Sequence, residues 1–372
     1  MKFTCTKENI LTGLQAVSAI TGKQVHLPIL NNVQLVAELT GIKAIGTNLE
    51  LSVVSSIRGK VEMEGAFTVP AKTLVEYIAL LPAEARIDFE LEGNELILKS
   101  GRQRTKMKGT PATDFPSIPL VEKTTELTFP SDRLKRALSR VLVSVSHSEV
   151  RPELQGVLLF TEPTDQMRAI FASTDSYRLS EALVEVLNGG NQPSVRVIIP
   201  QRTAQELFRL LPNGNDPVTI AFGEGQISCI IGDATLLSRL IEGNYPDYRQ
   251  IIPKTHTAEV KLPTEETQKV IKAASLFSAQ GVSAVSLRVN PKEEVLNITS
   301  ASSQAGEHSA DIAVEGLGEE NTVILNHKFL VDGLQAIDEP FAKLKIVSGE
   351  APCVLQPENA DDYLYIIMPI RQ

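Results

Sequence analysis

One arrangement of apolar and polar residues occurs three times along the chain. In the central copy, Val197–Pro212, a β-branched apolar run stops at a proline, and leucines then follow at helical spacing up to a second proline. This order predicts a strand followed directly by a short amphipathic helix. The same order occurs in Phe67–Pro82, and a diverged copy occurs in Val323–Pro340. The copies lie roughly a third of the 372-residue chain apart, so the sequence predicts three copies of one domain.

Patterns around these copies predict the rest of each domain. Each domain restarts with a strand and an amphipathic helix, at Met1–Ile20, Glu126–Val145 and Ala258–Leu276. Runs of strands interrupted by two helices are typical of α+β folds. We therefore predict an α+β chain of three tandem domains, each with two helices and about eight antiparallel strands, at residues 1–124, 125–254 and 255–372. The alternation at Tyr363–Arg371 predicts a final strand.

Tandem domains that stack by their edges build arrays or rings, so each chain is expected to form half of a ring. If two helices from each of six domains line the hole at a spacing of ~10 Å, the hole is about 38 Å across, which is wide enough for duplex DNA. The net charge of −9 argues against binding of nucleic acid by bulk electrostatics. A ring that encloses its ligand, however, needs only a positive lining. Basic residues on the polar faces of the predicted helices are the candidates: Lys72, Arg133, Arg136, Arg140 and Arg202.

Composition excludes several classes of protein. The hydrophobic fraction of 42% and the charged fraction of 22% are ordinary for a soluble protein. No apolar run approaches the ~20 residues of a membrane span, and the N-terminus lacks a signal-peptide core. Cys5, Cys229 and Cys353 are too scattered to indicate a disulfide framework or a zinc cluster. We expect a protein of the reducing cytoplasm without a membrane partner.

The sequence lacks recognisable catalytic and cofactor motifs. It contains no phosphate-binding G-x-x-x-x-G-K-[ST] or G-x-G-x-x-G stretch, and its five histidines fit no metal spacing. Thr174–Arg178 combines Thr, Asp and Ser, but no base lies nearby in the sequence. We therefore predict no enzyme, no metal and no cofactor. A hydrolase is the alternative, and it would need a clustered acid–base set that includes Asp175 or His147.

Six stretches of the sequence carry a family resemblance: MKFTC, PILNN, RPELQGVLL, ASTDSYRLS, GNYPDYRQIIP and YIIMPIR. With them the chain resembles the bacterial β sliding clamps, the β subunits of DNA polymerase III, from Met1 to Arg371. The resemblance implies a head-to-tail homodimeric ring around double-stranded DNA, without sequence preference, that confers processivity on the replicative polymerase. An ATP-dependent clamp loader would open and close this ring. The implied partners are the polymerase III alpha subunit, the loader delta subunit, translesion polymerases and repair proteins.

The resemblance also implies a cleft between the second and third domains, where these partners would insert a short peptide rich in Gln, Leu and Phe. Its walls would be Leu154, Thr174, Tyr177, Arg178, Leu179, Pro246, Ile251, Ile366, Ile367, Met368, Pro369, Ile370 and Arg371. Most of these side chains are apolar, and Met368 is the adaptable kind of residue expected where many partners bind. The pattern of the last stretch fits a buried final strand equally well.

The resemblance adds Lys23, Gln24 and Ser148 to the expected DNA contacts, although a basic residue on an exposed helix is often only solvated. It places a dimer contact between Arg102, Arg104 and Met107 of the first domain and Leu276 and Phe277 of the third, and Phe277 also fits a core position. The sequence departs from the family pattern at Gln24, Gln201 and Gln250, where relatives often have Arg. Gln24 and Gln201 support an alternative function, a clamp paralogue that acts mainly as a protein-binding scaffold or drug-tolerance duplicate.

Overall fold

A computed structural model describes residues 1–22, 27–118, 121–162, 164–190, 193–278, 281 and 283–371. Within these ranges the chain forms six α-helices and 27 strands, and the strands pair antiparallel. The chain divides into two compact units. Unit 1 is Met1–Asp132 with Glu206–Leu240, and unit 2 is Arg133–Gln205 with Ile241–Gln372.

The elements follow one another in three similar series. The first series is β1 Lys2–Thr6, α1 Lys7–Ser18, β2 Asn32–Glu38, β3 Gly41–Thr47, β4 Leu51–Ile57, β5 Gly59–Met63, β6 Gly65–Pro70, α2 Ala71–Leu80, β7 Arg86–Glu92, β8 Glu95–Ser100, β9 Gln103–Lys108 and β10 Thr110–Pro111. The second series is β11 Thr125–Pro130, α3 Ser131–Leu142, β12 Gly156–Glu162, β13 Asp165–Thr174, β14 Arg178–Glu185, β15 Arg196–Pro200, α4 Gln201–Leu210, β16 Pro217–Gly223, β17 Gln226–Ile231 and β18 Ala234–Arg239. The third series is β19 Ala258–Pro263, α5 Thr264–Ser275, β20 Ala284–Asn290, β21 Val295–Ser302, β22 Gly306–Ala313, β23 Glu315–Gly318, β24 Asn321–Asn326, α6 His327–Gln335, β25 Phe341–Ile346, β26 Cys353–Pro357 and β27 Tyr363–Ile367. Short 3-10 helices occur at Pro28–Asn31, Ala112–Asp114, Pro152–Leu154 and Tyr248–Ile251.

The strand that runs directly into a helix is present in all three series, as β6–α2, β15–α4 and β24–α6. Pro70 and Pro200 end the first two of these strands. In the third, Asn326 takes the place of the proline, and its side-chain oxygen accepts the backbone N–H of Lys328 at 2.9 Å. An asparagine in this position caps the start of a helix. The predicted threefold element is therefore confirmed.

Unit 1 contains a five-stranded sheet, β5-β1-β7-β8-β9, and a nine-stranded sheet, β10-β6-β2-β3-β4-β18-β17-β16-β11. Helix α1 buries Ile10, Leu14 and Val17 at a spacing of three to four residues, which is the apolar stripe predicted from the sequence. Phe3 and Phe89 stack in the core with ring centroids 4.5 Å apart.

Unit 2 contains a nine-stranded sheet, β15-β12-β13-β14-β27-β26-β25-β19-β23, and a four-stranded sheet, β22-β21-β20-β24. Helix α3 buries Leu134, Leu138 and Val141. Tyr363 and Tyr365 of β27 are fully buried and are among the largest buried side chains of the chain.

The nine-stranded sheets each combine strands of two successive series. In unit 1, β4 of the first series pairs with β18 of the second. In unit 2, β14 of the second series pairs with β27 of the third. Compact packing therefore extends across the series, and the predicted domain boundaries after residues 124 and 254 stay predictions. Among the described strands, β9 and β22 are two of the eight that end their sheets.

The final strand is shorter than predicted. It ends at Ile367 instead of Arg371, because Pro369 has no backbone N–H with which to continue the pairing. The backbone N–H groups of Met368 and Ile370 bond instead to the carbonyl oxygens of Tyr177 and Ile324, both at 2.8 Å.

The three cysteines are buried and unpaired. Burial raises the pKa of each of the three thiols to about 12. The thiols are therefore protonated at neutral pH and unreactive in the folded chain. None of the helices in the described part of the chain is both long and apolar enough to span a membrane.

Candidate partner-binding cleft and DNA interface

The turn between β13 and β14 is held by its own side chains. Thr174 Oγ1 accepts the N–H of Ser176 at 3.1 Å and donates to the carbonyl of Arg178 at 2.7 Å. Asp175 Oδ1 accepts the N–H groups of Tyr177 and Arg178, both at 3.0 Å. Asp and Thr favour such local turns, and Ser176 takes the left-handed backbone conformation at φ 76°. The turn projects Tyr177 outward, so that 66% of its surface is exposed.

The C-terminal stretch lies directly beside this turn. Arg178 and Leu179 pair with Ile367 and Ile366 in the sheet, and Met368 donates its N–H to the carbonyl of Tyr177. Because this pairing joins β14 to β27, it brings together residues of the second and third predicted domains.

An apolar cluster underlies the predicted cleft. Leu154, Leu179 and Ile366 are buried in it together with Tyr245 and Tyr248, two residues that the sequence analysis did not select. The remaining predicted wall residues show a gradient of exposure. Thr174 and Ile367 are buried, Pro246, Met368, Pro369 and Ile370 are half-buried, and Ile251 and Arg371 are exposed. The first part of the last stretch is therefore a buried strand, and its second part borders solvent. A role of the second part in peptide binding stays a prediction.

Arg178 forms its contacts inside the protein, beside the predicted cleft. Its Nε lies 2.9 Å from Asp175 Oδ2, its Nη1 lies 2.6 Å from Asp332 Oδ2, and its guanidinium lies 4.4 Å from the ring centroid of Phe329. Burial opposes the charge, but Tyr365 and both carboxylates outweigh it and raise the pKa of Arg178 above its ordinary value. Arg178 is thus a positioning residue that ties the turn to helix α6. Sequence reasoning missed Asp332, because nothing local marks a partner this far along the chain.

The polar side chains that follow Pro246 pair with neighbouring side chains. Arg249 Nη1 lies 2.5 Å from Glu162 Oε1, and Gln250, the departure from the family pattern, donates to Asp247 Oδ2 at 2.9 Å. Gln250 therefore has a role within this segment as a local hydrogen-bond donor.

Buried tyrosines around the cleft predict a loss of stability at alkaline pH. Burial raises the pKa of Tyr245, Tyr248, Tyr363 and Tyr365 above the ordinary value, and Glu181 raises that of Tyr248 further. Because the pKa is raised in the folded state, the protonated tyrosines contribute their full stability at pH values below the unfolded-state pKa of roughly 10. This contribution is lost as the pH rises from there toward the folded-state pKa values. We expect the urea midpoint to fall steeply above about pH 10. Absorbance of tyrosinate should rise together with the loss of folded structure, and ionisation of all tyrosines in a chain that stays folded would contradict this.

The predicted DNA-contacting residues lie on several helices. Lys72 is exposed at the start of α2 and pairs with Glu76 at 3.8 Å, and Arg136 on α3 pairs with Asp338 at 3.5 Å. Arg133 on α3 and Arg202 on α4 are also exposed, as is Ser148 in the loop after α3. Lys23 and Gln24 lie outside the described residues.

Arg140 does not belong with these residues. It is only 3% exposed, and its Nη1 lies 2.9 Å from Asp362 Oδ1. Its Nε donates to the carbonyl of Ala336 at 3.3 Å, and its guanidinium lies 4.9 Å from the Tyr363 ring centroid. The expectation of a DNA contact is wrong for this residue, because the end of α6 covers the helix face that the sequence pattern left open.

The predicted dimer residues divide between surface and core. Leu276, just after α5, is 74% exposed. Phe277 is half-buried and stacks on His308 of β22 at 5.7 Å between ring centroids. Arg102, just before β9, and Arg104 of β9 are exposed, whereas Met107 of the same strand is buried. Leu80 at the end of α2, which the sequence pattern does not single out, is 85% exposed.

In the described part of the chain, no three His, Cys, Asp or Glu side chains lie close enough together to hold a metal ion.

Comparison with known proteins covers the full length of the chain. Family models for the N-terminal, central and C-terminal domains of the DNA polymerase III beta subunit match residues 1–119, 128–247 and 249–371. The beta sliding clamp of Escherichia coli K12 is 30% identical over 372 residues, and that of Proteus mirabilis is 31% identical over 375 residues. Both alignments cover 100% of each chain.

Solved structures agree. The DNA polymerase sliding clamp from Bacillus subtilis is 26% identical, with a TM-score of 0.93 over 100% of this chain and 99% of its own. The sliding clamp from Pseudomonas aeruginosa bound to griselimycin is 26% identical, with a TM-score of 0.94 over 100% of both chains.

The fold is that of the sliding clamps of DNA polymerases. The chain belongs to the DNA polymerase III beta subunit family, the beta sliding clamps. This membership confirms the predicted α+β class with three tandem domains, the association with DNA replication, and the prediction of a non-catalytic polymerase subunit.

Proposed function

We propose that two copies of this chain form a closed, head-to-tail ring around duplex DNA. In the bacterial cytoplasm this ring tethers the replicative polymerase and other DNA-processing proteins, and an ATP-dependent clamp loader places it on DNA. A tether of this kind raises the effective concentration of the polymerase at the primer end, which confers processivity.

The observation that carries the proposal is the pairing of equivalent strands. The fourth strand of a four-strand block, β4 in β6-β2-β3-β4 and β14 in β15-β12-β13-β14, pairs with the last strand of the next series. In the third series, the fourth strand of the equivalent block, β24-β20-β21-β22, is β22. In the first series, the strand equivalent to β18 and β27 is β9. At these two places, unlike at β4–β18 and β14–β27, the described strands show no neighbour within the chain. Each chain forms this kind of strand junction twice within itself, as β4–β18 and β14–β27. Pairing of β22 with β9 of a second copy would form the same junction at both contacts between the two copies.

The two edges have opposite charge. Residues 102–108, which include β9, carry Arg102, Arg104, Lys106 and Lys108, whereas β22 carries Glu307 and Asp311. Exposed strand edges usually carry features that prevent association. Opposite charges on two equivalent edges favour one particular pairing instead.

Helix contacts support the same junction. Arg209 of α4 donates to the carbonyl of Ala16 on α1 at 2.7 Å, and Arg140 of α3 donates to Ala336 at the end of α6. The first helix of one series thus meets the second helix of the next. By this rule α5 meets α2 of a second copy, which places the exposed Leu276 beside the exposed Leu80.

The exposed basic residues Lys72, Arg133, Arg136 and Arg202 are proposed to face the DNA. Lysine and arginine that contact phosphates bind without sequence preference and weaken with salt. The cleft beside Tyr177 and Met368 is proposed to take the Gln/Leu/Phe-containing peptides of the polymerase alpha subunit, the loader delta subunit, translesion polymerases and repair proteins. Its apolar floor and half-exposed rim are the features of a peptide site.

Retention on circular DNA tests the ring. The protein is loaded on nicked plasmid by the cognate loader with ATP, washed in about 1 M NaCl, where charges are screened beyond about 3 Å, and then released by linearising the plasmid. We expect it to survive the wash and to leave only after linearisation, whereas plasmid linearised before loading should retain none.

Two other results would contradict the proposal. Release by salt alone would mean that the contacts are electrostatic. Absence of retention together with intact binding of a Gln/Leu/Phe peptide would favour the scaffold paralogue instead.

A further inference from the structure

The turn between β3 and β4 in unit 1 has the same hydrogen bonds as the cleft turn between β13 and β14. Thr47 Oγ1 accepts the N–H of Leu49 at 3.1 Å and donates to the carbonyl of Leu51 at 3.1 Å. Asn48 Oδ1 accepts the N–H groups of Glu50 and Leu51 at 3.1 and 2.7 Å. Leu49 has φ 79°, close to the value at the matching position of the cleft turn.

The strand beside this turn is also equivalent. Arg239, at the end of β18, donates its N–H to the carbonyl of Glu50 at 3.1 Å. Met368, just after β27, makes the same bond to Tyr177 at 2.8 Å. Arg239 therefore occupies the place of Met368, and Glu50 occupies the place of Tyr177.

The apolar surroundings correspond as well. Buried Phe115 precedes Pro116 just as buried Tyr245 precedes Pro246. Between this segment and β18 lies a groove of about 570 Å³, within the usual range of ligand pockets. Its apolar lining includes Leu49, Pro116, Ile118 and Leu237. Unit 1 thus contains a second groove of the same construction.

The chemistry of the second groove differs at its rim. Glu50 and Arg239 are both exposed and line the groove. Among the described residues, neither side chain has an ion-pair partner, so the guanidinium of Arg239 is available to a ligand. A carboxylate beside an apolar side chain complements this rim, because Arg binds carboxylates in a two-pronged geometry. Glu50 on the other side disfavours a second acidic group.

We propose that this groove, between strand β18 and the turn that precedes β4, is a second peptide-binding site. Its ligand is an extended segment of a partner protein in which an apolar residue stands next to an acidic one. We rely on the proposed function here only for the nature of the ligand, an extended peptide.

Calorimetric titration with the synthetic peptide acetyl-Gln-Leu-Asp-Leu-Phe, which offers both apolar and acidic groups, tests the second site. The full-length chain is expected to bind two peptides. Arg239→Glu is expected to weaken one of the two sites about tenfold to a hundredfold, because a charged hydrogen bond is lost and a like charge is introduced. Arg239→Lys keeps the charge but loses the two-pronged geometry, and it should weaken this site less than Arg239→Glu does. Arg86→Glu, at another exposed arginine of unit 1, is the matched control and should retain both sites.

Met368→Glu separates the two grooves, since it alters only the first. One site that Met368→Glu abolishes and Arg239→Glu leaves intact would overturn the second groove and leave the proposed function standing. One site with the opposite response would support the second groove and contradict the peptide binding proposed for the first. Two sites that persist in Arg239→Glu, or no binding at all, would also overturn the second groove.

Discussion

A chain that carries Leu276→Lys is expected to be a monomer in solution and to lose all retention on circular DNA. The substitution removes an exposed leucine whose proposed burial against a second copy would contribute roughly 1.5–3 kcal/mol. In the proposed ring it would also place a cation near the basic segment of β9. Because the proposed ring contains this contact twice, the dissociation constant should rise by about 10³-fold or more. Sedimentation at micromolar concentration measures this directly.

Two further variants make this result specific. Leu39→Lys introduces the same charge at a leucine that is 81% exposed in the turn after β2, and it should leave the dimer intact. Leu80→Glu combined with Leu276→Lys should restore association in part, because opposite charges then meet across the proposed α2–α5 contact. A stable dimer of the Leu276→Lys variant alone would show that the two copies associate through other surfaces.

Gly333→Ala is expected to lower the free energy of unfolding by about 2–3 kcal/mol. A Cβ at Gly333 on α6 would lie only 2.3 Å from Cε1 of the buried Tyr365 ring. The ring must then move, which also disturbs its hydroxyl bond to the carbonyl of Phe329 at 2.8 Å. The higher helix propensity of alanine returns at most about 1 kcal/mol. Urea unfolding measures the difference.

Gly214→Ala is the matched control for this substitution. The nearest atom to a Cβ at Gly214 is Asp216 Oδ2 at 3.8 Å, so its midpoint should stay within about 0.5 kcal/mol of the parent chain. Equal stability of Gly333→Ala and the parent would mean that α6 and β27 can separate without cost.

The threefold strand–helix element could be predicted because its determinants are local. A β-branched run, a proline and leucines at helical spacing define β15 and α4 within sixteen residues, and the same signals define β6 and α2. Asn326 replaces the proline in the third copy, yet its capping side chain performs the same local task. The number of domains and the fold class follow from this repetition.

Contacts between distant segments could not be predicted in this way. Arg140 shares a helical face with Arg133 and Arg136, so its sequence position indicates solvent, but the end of α6 buries it against Asp362. Arg178 was selected as a wall of the cleft, and the structure shows its charge satisfied by Asp175 and Asp332. Asp332 and Asp362, the partners from the third series, are not marked by any local sequence pattern. The strand pairing β14–β27 is equally non-local.

The edge pairing described for β4–β18 and β14–β27 has a consequence for how chain length and subunit number are related. Each junction joins an edge of the β4 and β14 kind to an edge of the β18 and β27 kind. A chain of one, two or three such domains therefore always has one unpaired edge of each kind. Fusion or fission of the coding sequence at a junction would change how many polypeptides make up an assembly without altering either free edge. In the proposed ring, the number of subunits would then be set by where the polypeptide is cut, and the geometry of closure would be set by the single domain.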